Sequence, residues 1–248
     1  MLRILFFILF CATTNAYAGW YECYNFEGTI GKFPITLSMQ VRKGYFGEPA
    51  KKKFNVIGVY KYNKYNSPIR LEGIFDERSK QVTLYEVSGK SYSAVLQFVF
   101  SEKQCPGSWQ NKATVNKLRV SLTFVSKLLD LEPEQVFSGV DILQAQSLTR
   151  FYFIACYNKV SGADKAVLSE LKIFQKNNGK IFQVIDLSNV EDAIGNIMTI
   201  IYDNLEVVDA EKQKVGLSRN VGNDQAPLII EWNASSKRFT LEKSSIHE

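Results

Sequence analysis

Carboxylates are the only side chains of catalytic type that this sequence offers in number. The single histidine is His247, the penultimate residue, so Ser-His-Asp triads, Cys-His pairs and His-rich zinc sites all lack a member. The chain contains neither a Walker A loop nor a GxGxxG motif after a strand. Four acids lie close together in the chain: Glu72, Asp76, Glu77 and Glu86. Two carboxylates at a suitable separation cleave glycosides, but acids beside hairpin turns are ordinary surface residues, so a glycosidase is kept as an alternative.

Two stretches are candidates for binding rather than for catalysis. In the stretch from 60 to 65, Tyr60, Tyr62 and Tyr65 alternate with polar residues, and Tyr60 and Tyr62 would point to the same side of a strand. Such tyrosines either dock a sugar or a protein, or they line the edge of a core with their hydroxyls in water. The second stretch is the polar loop 218–227 between two apolar segments, because scaffolds often carry binding residues on such loops. Its predicted contact residues are Arg219, Asn220, Asn223 and Asp224.

Residues 1–18 have the form of a cleavable export signal. Arg3 is the positive residue, 4–12 is the apolar region, and Ala16, Tyr17 and Ala18 form a small-x-small cleavage site. A lipoprotein signal at Cys11 is the alternative, although Phe10 stands where a small residue is expected. The apolar region is shorter than the roughly 20 residues of a membrane-spanning helix. The sequence therefore predicts a periplasmic protein without a transmembrane span, and secretion to the outside stays open.

The charge distribution does not indicate nucleic-acid binding. The formal net charge of +5 is modest, and the one dense basic cluster is 51–53, beside Pro49. Three lysines in a turn are typical of a solvated loop, whereas proteins that bind duplexes gather basic residues over a whole face.

Three cysteines remain after signal cleavage, and an oxidising compartment favours pairing two of them. All three pairings are open in principle. We predict a Cys23–Cys105 disulfide because both residues belong to the first half of the chain. Cys156 follows the apolar run 151–155 and is predicted to be a buried, inert thiol.

Short apolar runs rich in β-branched and aromatic residues predict a mainly β fold of antiparallel hairpins and meanders. Ile35, Leu37 and Met39 alternate with polar residues, as in a strand that is buried on one face. The expected architecture is two β-rich halves, propeller-like or sandwich/barrel-like, with at most one or two short helices. Strands of the first half are predicted at 20–26, 33–42, 55–62, 69–75, 81–87, 93–100 and 117–124.

The alternation loosens after the first half. An N-terminal β domain (19–126) is predicted to lead into a linker with a short helix (127–148) and then a C-terminal β-rich domain (149–248). Within the last domain, Asn177, Asn178 and Gly179 join two apolar runs, which is a strong hairpin signal. A second hairpin is predicted from 228–232 and 238–241. Residues 189–199 are predicted to be a helix with Ser188 as its N-cap and Glu191 completing a capping box.

Part of the chain resembles a known family. The runs 58–65, 69–73 and 82–86, followed by 107–109, look like a pattern of exported bacterial proteins: a Tyr-rich strand, Ile-x-Leu-x-Gly, Leu-x-Glu and then Gly-x-Trp. The pair 171–174 and 179–185 resembles a strand pair of periplasmic, propeller-like lysozyme inhibitors that act as immunity proteins. That resemblance implies a calcium loop at Asp203, Asn204 and Asp209, in a degenerate form that lacks the glycine and the regular acidic alternation.

These features together favour a non-catalytic periplasmic binder, an inhibitor or immunity protein against a cell-wall (peptidoglycan) hydrolase, rather than an enzyme. Its contacts would come from Tyr60, Tyr62 and the loop 219–224, where Arg219 would pair with a catalytic carboxylate of the partner. An envelope carbohydrate-binding module or a glycosidase, using Glu72, Glu86 and the tyrosines of 60–65, is the alternative. A structural envelope protein is a further alternative.

Overall fold

The computed structural model describes residues 22–42, 54–114, 116–129, 135–163, 166–190, 200–218 and 227–242. The predicted signal peptide, most of the predicted helix 189–199 and the contact residues 219–224 lie outside these ranges. The described residues form sixteen strands and no helix, as the mainly β prediction required. None of the described residues therefore forms a helix long and apolar enough to cross a membrane.

The first eight strands form a closed antiparallel barrel. Each strand pairs with the next one in the chain, and β8 returns to pair with β1. The strands are β1 (Glu22–Ile30), β2 (Phe33–Val41), β3 (Val56–Tyr62), β4 (Ile69–Asp76), β5 (Gln81–Ser88), β6 (Ser91–Val99), β7 (Gln104–Asn111) and β8 (Lys117–Leu129). Closure leaves no free edge in this sheet, so every strand finds a partner on both sides.

The barrel interior is a packed apolar core. Ile35, Leu37 and Met39 of β2 are fully buried there, which confirms the alternation read from the sequence. Neighbouring strands of the barrel approach closely at glycines. At Gly107, for example, a Cβ would stand only 2.0 Å from the backbone oxygen of Gln97. Any larger residue would force these two strands apart.

Strand β7 lies between 100 and 117, where the sequence predicted no strand. Pro106 and Gly107 argue against a strand in the sequence, because proline lacks an N–H for the ladder of hydrogen bonds and glycine weakens a strand. The ladder nevertheless continues through both residues, with Pro106 opposite Ser121 and Gly107 opposite Val120.

The second half of the chain forms two four-stranded antiparallel sheets. The first has the order β12-β11-β10-β9 and the second the order β13-β14-β15-β16. Their strands are β9 (Phe137–Ser147), β10 (Phe151–Lys159), β11 (Val167–Gln175), β12 (Ile181–Asp186), β13 (Leu205–Asp209), β14 (Lys214–Leu217), β15 (Leu228–Asn233) and β16 (Arg238–Leu241). Both predicted hairpins are confirmed, as β11–β12 with Gly179 at a φ of 67° and as β15–β16.

The segment in which the sequence suggested a linker with a short helix is largely a strand. Residues 127–129 end β8, and β9 occupies 137–147. Gly139 interrupts the alternation of apolar and polar residues in β9. It has a φ of 68°, and the pairing of β9 with β10 shifts register nearby, between Tyr157 and Lys159. A glycine inside a strand pattern often marks such an irregularity.

The sheet β9–β12 packs between the barrel and the sheet β13–β16. On one side, Ile57 and Val59 from the outer face of the barrel share its apolar core. On the other side, four aromatic rings from both sheets pack together: Phe151, Phe182, Trp232 and Phe239. The edge strands β12 and β16 are also joined by two hydrogen bonds. The Gln183 side-chain amide donates to the backbone oxygen of Phe239 (2.8 Å) and accepts from the backbone N–H of Phe239 (2.9 Å).

The predicted Cys23–Cys105 disulfide is wrong. Cys23, Cys105 and Cys156 are all buried free thiols. Cys105 lies in the barrel core, whereas Cys23 belongs to the core on the outer face of the barrel. Cys105 lies opposite Leu122, which lies opposite Gly28, five positions along β1 from Cys23. At roughly 3.3 Å per residue the two thiols are far beyond disulfide reach.

Candidate functional site

Of the tyrosines predicted from the sequence, Tyr60 and Tyr62 point into the barrel and not to its outer surface. Tyr60 and Tyr62 share one face of β3, and their ring centroids are 5.4 Å apart. Tyr60 is fully buried, and Tyr62 is half-buried at the end of the barrel that carries the β3–β4 turn. We call this end the barrel mouth; it consists of the turns β1–β2, β3–β4, β5–β6 and β7–β8. Tyr65, within the β3–β4 turn, is 60% exposed and is the tyrosine available to a partner.

Glu86 lies just inside the barrel mouth and accepts three hydrogen bonds. Its Oε1 accepts hydrogen bonds from the Tyr60 hydroxyl (2.5 Å) and from Nε1 of Trp109 (2.6 Å). Its Oε2 accepts one from the Ser93 hydroxyl (3.0 Å). Burial and the adjacent carboxylate raise the pKa of Tyr60, so this hydroxyl remains a donor. The structure thus brings Tyr60, Tyr62, Glu86 and Trp109 together.

The remaining acids of the predicted glycosidase set do not join Glu86. Leu71 lies opposite Glu86 and Glu72 lies opposite Tyr85, so Glu72 and Glu86 point to opposite faces of the barrel wall. Asp76 and Glu77 lie at the far end of the barrel, in the β4–β5 turn. There the Asp76 carboxylate accepts from the Ser79 hydroxyl and from backbone N–H groups, which lowers its pKa. None of these three acids is therefore placed to flank one glycosidic bond together with Glu86.

The residues of the predicted calcium loop are likewise separated. Asp203 is exposed and Asn204 is buried, and both precede β13, whereas Asp209 ends that strand. Asn204 donates to Oε1 of Gln144 at 3.4 Å, and Oδ1 of Asp209 accepts from the N–H of Lys212. Within the described ranges, acids, cysteines and histidines do not gather into a group that could hold a metal.

A groove with a basic lining lies between the barrel and the first sheet of the second half. We call it the junction groove. Its volume is about 470 Å³, and it is lined by Lys64, Tyr65, Ser67, Thr149, Arg150, Gln175, Lys176 and Asn177. Three of these residues are cations and none is an acid. The groove is therefore a positively charged recess with hydrogen-bonding amides and hydroxyls beside the cations.

Three turns position these residues. In the β3–β4 turn, the N–H groups of Tyr65 and Asn66 both donate to the backbone oxygen of Tyr62. In the second half, the N–H of Lys176 donates to the oxygen of Arg150 at 2.9 Å, which ties the β9–β10 and β11–β12 turns together. Asn66 connects the two sides, because its amide donates to the oxygen of Lys176 at 3.0 Å. These bonds connect the walls of the groove.

The cations of the groove differ in how they are held. Nζ of Lys64 lies 5.3 Å from the ring centroid of Tyr65, and the Arg150 guanidinium lies 5.4 Å from that of Phe151. Nζ of Lys176 donates to the Ser147 hydroxyl at 2.9 Å, and partial burial lowers its pKa. Desolvation of this kind strengthens the attraction of a cation for an incoming anion.

Lys61 lies close to the groove and is almost completely buried. Its ammonium donates to Oδ1 of Asn63 (3.0 Å) and of Asn66 (2.9 Å) and lies 5.0 Å from the ring centroid of Tyr152. Desolvation lowers its pKa from 10.5 to about 8, although the carboxylate of Glu27 acts in the opposite direction. Lys61 is thus a costly buried cation at the junction of the two halves.

Sequence reasoning found part of this site. It singled out the stretch from 60 to 65, which supplies Lys64 and Tyr65. It missed Arg150 and Lys176, because they are more than eighty positions away in the chain and reach the groove only through the packing of the first sheet on the barrel. Two ordinary turn cations carry no sequence signal of their own.

Comparison of the chain with protein-family models, with curated proteins and with solved structures finds no match.

Proposed function

We propose that this chain is an exported, non-catalytic binding protein that holds an acidic segment of a protein partner in the junction groove. The observation that carries the proposal is the charge of the groove. Lys64, Arg150 and Lys176 converge on one recess whose lining contains no carboxylate. Opposite charge across an interface steers association and determines which partner is accepted.

The groove suits an acidic protein segment in size as well as in charge. A recess of about 470 Å³ is within the usual range of ligand pockets and accommodates a few side chains of an inserted loop. Arg150 offers the planar fork that binds a carboxylate through two parallel hydrogen bonds. Tyr65 adds a rigid, exposed aromatic ring, a residue type that is enriched in protein interfaces.

The partner class that agrees best with these features is a cell-wall hydrolase. The catalytic cleft of such an enzyme carries carboxylates, and a protein that covers them with its own cations acts as an inhibitor or an immunity protein. In this proposal Arg150 takes the role that the sequence had suggested for Arg219. The export signal read from residues 1–18 would bring both proteins into the same compartment.

The alternatives receive less support. A carboxylate-based glycosidase needs two acids beside one substrate, whereas Glu72 and Glu86 point to opposite faces of the barrel wall. A purely structural envelope protein has no need of a basic recess with a preformed shape.

The test is capture followed by an activity assay. Residues 19–248 are immobilised and incubated with periplasmic and secreted fractions, and a retained hydrolase is assayed on peptidoglycan. We expect its activity to fall to background at a one-to-one ratio, and Arg150→Glu to abolish this effect. Retention of a hydrolase that stays fully active, or no retention at all, would contradict the proposal.

A further inference from the structure

The barrel mouth combines apolar surface with a filled interior beneath it. Its partly exposed side chains are Phe33, Tyr62, Ile69, Trp109 and Leu118. Phe33 is 41% exposed and lies edge-on to Tyr62, with 6.1 Å between the ring centroids. Below them, Tyr60 and Leu96 are fully buried. A ligand would therefore rest on the aromatic rings of the mouth instead of entering the barrel.

Glu86 gives this aromatic surface a hydrogen-bond acceptor and a defined geometry. A carboxylate has about four lone-pair positions, and among the described residues three donors reach Glu86: Tyr60, Ser93 and Trp109. Oε1 accepts two of these bonds and Oε2 one, so the fourth position is on Oε2. The bond from Trp109 to Oε1 also orients the indole ring at the mouth. An acceptor beside an oriented aromatic ring is the arrangement that recognises a sugar, whose ring stacks while its hydroxyls donate.

The rim of the mouth is basic. Each of its four turns carries a lysine: Lys32, Lys64, Lys90 and Lys112. The described residues of these turns include no acid. The described turns at the opposite end of the barrel carry both signs of charge, with Glu77 and Glu102 beside Arg78, Lys80 and Lys103. Lysines around a recess attract anions over a distance of about one Debye length.

We propose that the barrel mouth binds a saccharide that carries carboxylate groups. The rings of Trp109 and Phe33 stack against the sugar, Glu86 and Ser93 bond its hydroxyls, and the lysines of the rim pair with its carboxylates. This site goes beyond the proposed function and does not require it. Lys64 lies between the mouth and the junction groove, so the variants below avoid it.

The test uses two matched probes, trigalacturonate and its methyl ester, in isothermal titration calorimetry of residues 19–248. The ester keeps the sugar rings and hydroxyls but has no carboxylate. We expect trigalacturonate to bind with a Kd on the order of 1 mM at low salt, and the ester to bind at least about fivefold more weakly, because it lacks the charge that the rim attracts.

Variants locate the bound probe. Trp109→Phe, which keeps a ring but loses its bond to Glu86, should weaken trigalacturonate binding by about three- to tenfold. A double variant combines Lys32→Gln and Lys90→Gln. Both residues lie in exposed turns, so the core stays intact. The double variant should weaken binding about threefold or more and reduce its salt dependence. The matched control Lys103→Gln, at the opposite end of the barrel, should bind as the parent does.

Three results would overturn the proposal: absence of binding by trigalacturonate at ten times the expected Kd, equal binding of acid and ester, or binding that the mouth variants do not change. Arg150→Glu, in the junction groove, should weaken trigalacturonate binding by less than about twofold at about 0.15 M salt, where charges more than about 8 Å apart are largely screened. The saccharide site and the protein-binding function therefore succeed or fail separately.

Discussion

Replacement of Lys61 by Met should remove a rise in the free energy of unfolding that the parent protein shows between about pH 8 and pH 10.5. The Lys61 side chain is 5% exposed, and its pKa is lowered from 10.5 to about 8 by desolvation. At about 1.4 kcal/mol per pH unit, this difference corresponds to about 3 kcal/mol that the folded state loses by keeping the ammonium charged at neutral pH. Above pH 8 the folded chain releases the proton while the unfolded chain still holds it, so the stability contributed by Lys61 rises towards pH 10.5 and is lost again as the pH falls through 8.

Met keeps the length of the lysine stem and has no charge, so Lys61→Met removes this pH dependence. The difference in unfolding free energy between variant and parent, measured by urea denaturation, should favour the variant most at about pH 7. It should shrink by about 2.5 kcal/mol by about pH 10. Contributions from tyrosines are common to both proteins and cancel in the difference. The exposed Lys64→Met is the control and should give a constant difference. A difference for Lys61→Met that also stays constant within about 0.5 kcal/mol would refute the assignment of Lys61 as a desolvated cation.

Three further outcomes are expected. Glu86→Ala leaves the buried Tyr60 hydroxyl and the half-buried Trp109 indole without their acceptor and should lower the unfolding free energy by about 3 kcal/mol. Glu72→Ala on the outer face should lower it by less than about 1 kcal/mol, and equal losses would contradict the network at the mouth. Tyr202→Phe removes the hydroxyl that donates to the backbone oxygen of Leu71 and should lower the unfolding free energy by about 1 kcal/mol, while the stacking of Arg70 on the ring persists. Residues 19–248 should show three free thiols in Ellman's assay after denaturation and almost none in the native state, because all three are buried; a count of one after denaturation would indicate a disulfide.

Local patterns predicted seven of the eight barrel strands and both hairpins of the second half. The alternation at Ile35, Leu37 and Met39 and the Asn-Gly turn before β12 are short-range signals that tertiary structure did not override. Among the strands that sequence reasoning missed, β7 and β9 contain residues that oppose strand formation when considered alone, namely Pro106, Gly107 and Gly139.

The sites depended on register and on contacts distant in the chain. Glu72 and Glu86 face opposite ways because the β4–β5 turn pairs Asp76 with Gln81; a slip of one residue in this pairing would have placed them on one face. The Cys23–Cys105 prediction failed for the same reason, since closeness within one half of the chain says nothing about which side of the barrel wall a thiol faces. The junction groove requires the packing of the first sheet against the barrel, which Ile57 and Val59 on the outer wall make favourable.

Charge reversal in the junction groove is the most direct test of the proposed function. Once a hydrolase is captured, its dissociation constant is measured for the parent, for Arg150→Glu and for the control Lys103→Glu, which makes the same change of net charge at the far end of the barrel. We predict that Arg150→Glu weakens binding by at least about a hundredfold, as the loss of a carboxylate pair and a new repulsion together imply, and that Lys103→Glu changes it by less than about threefold. Equal affinities for the two variants would contradict binding through the groove.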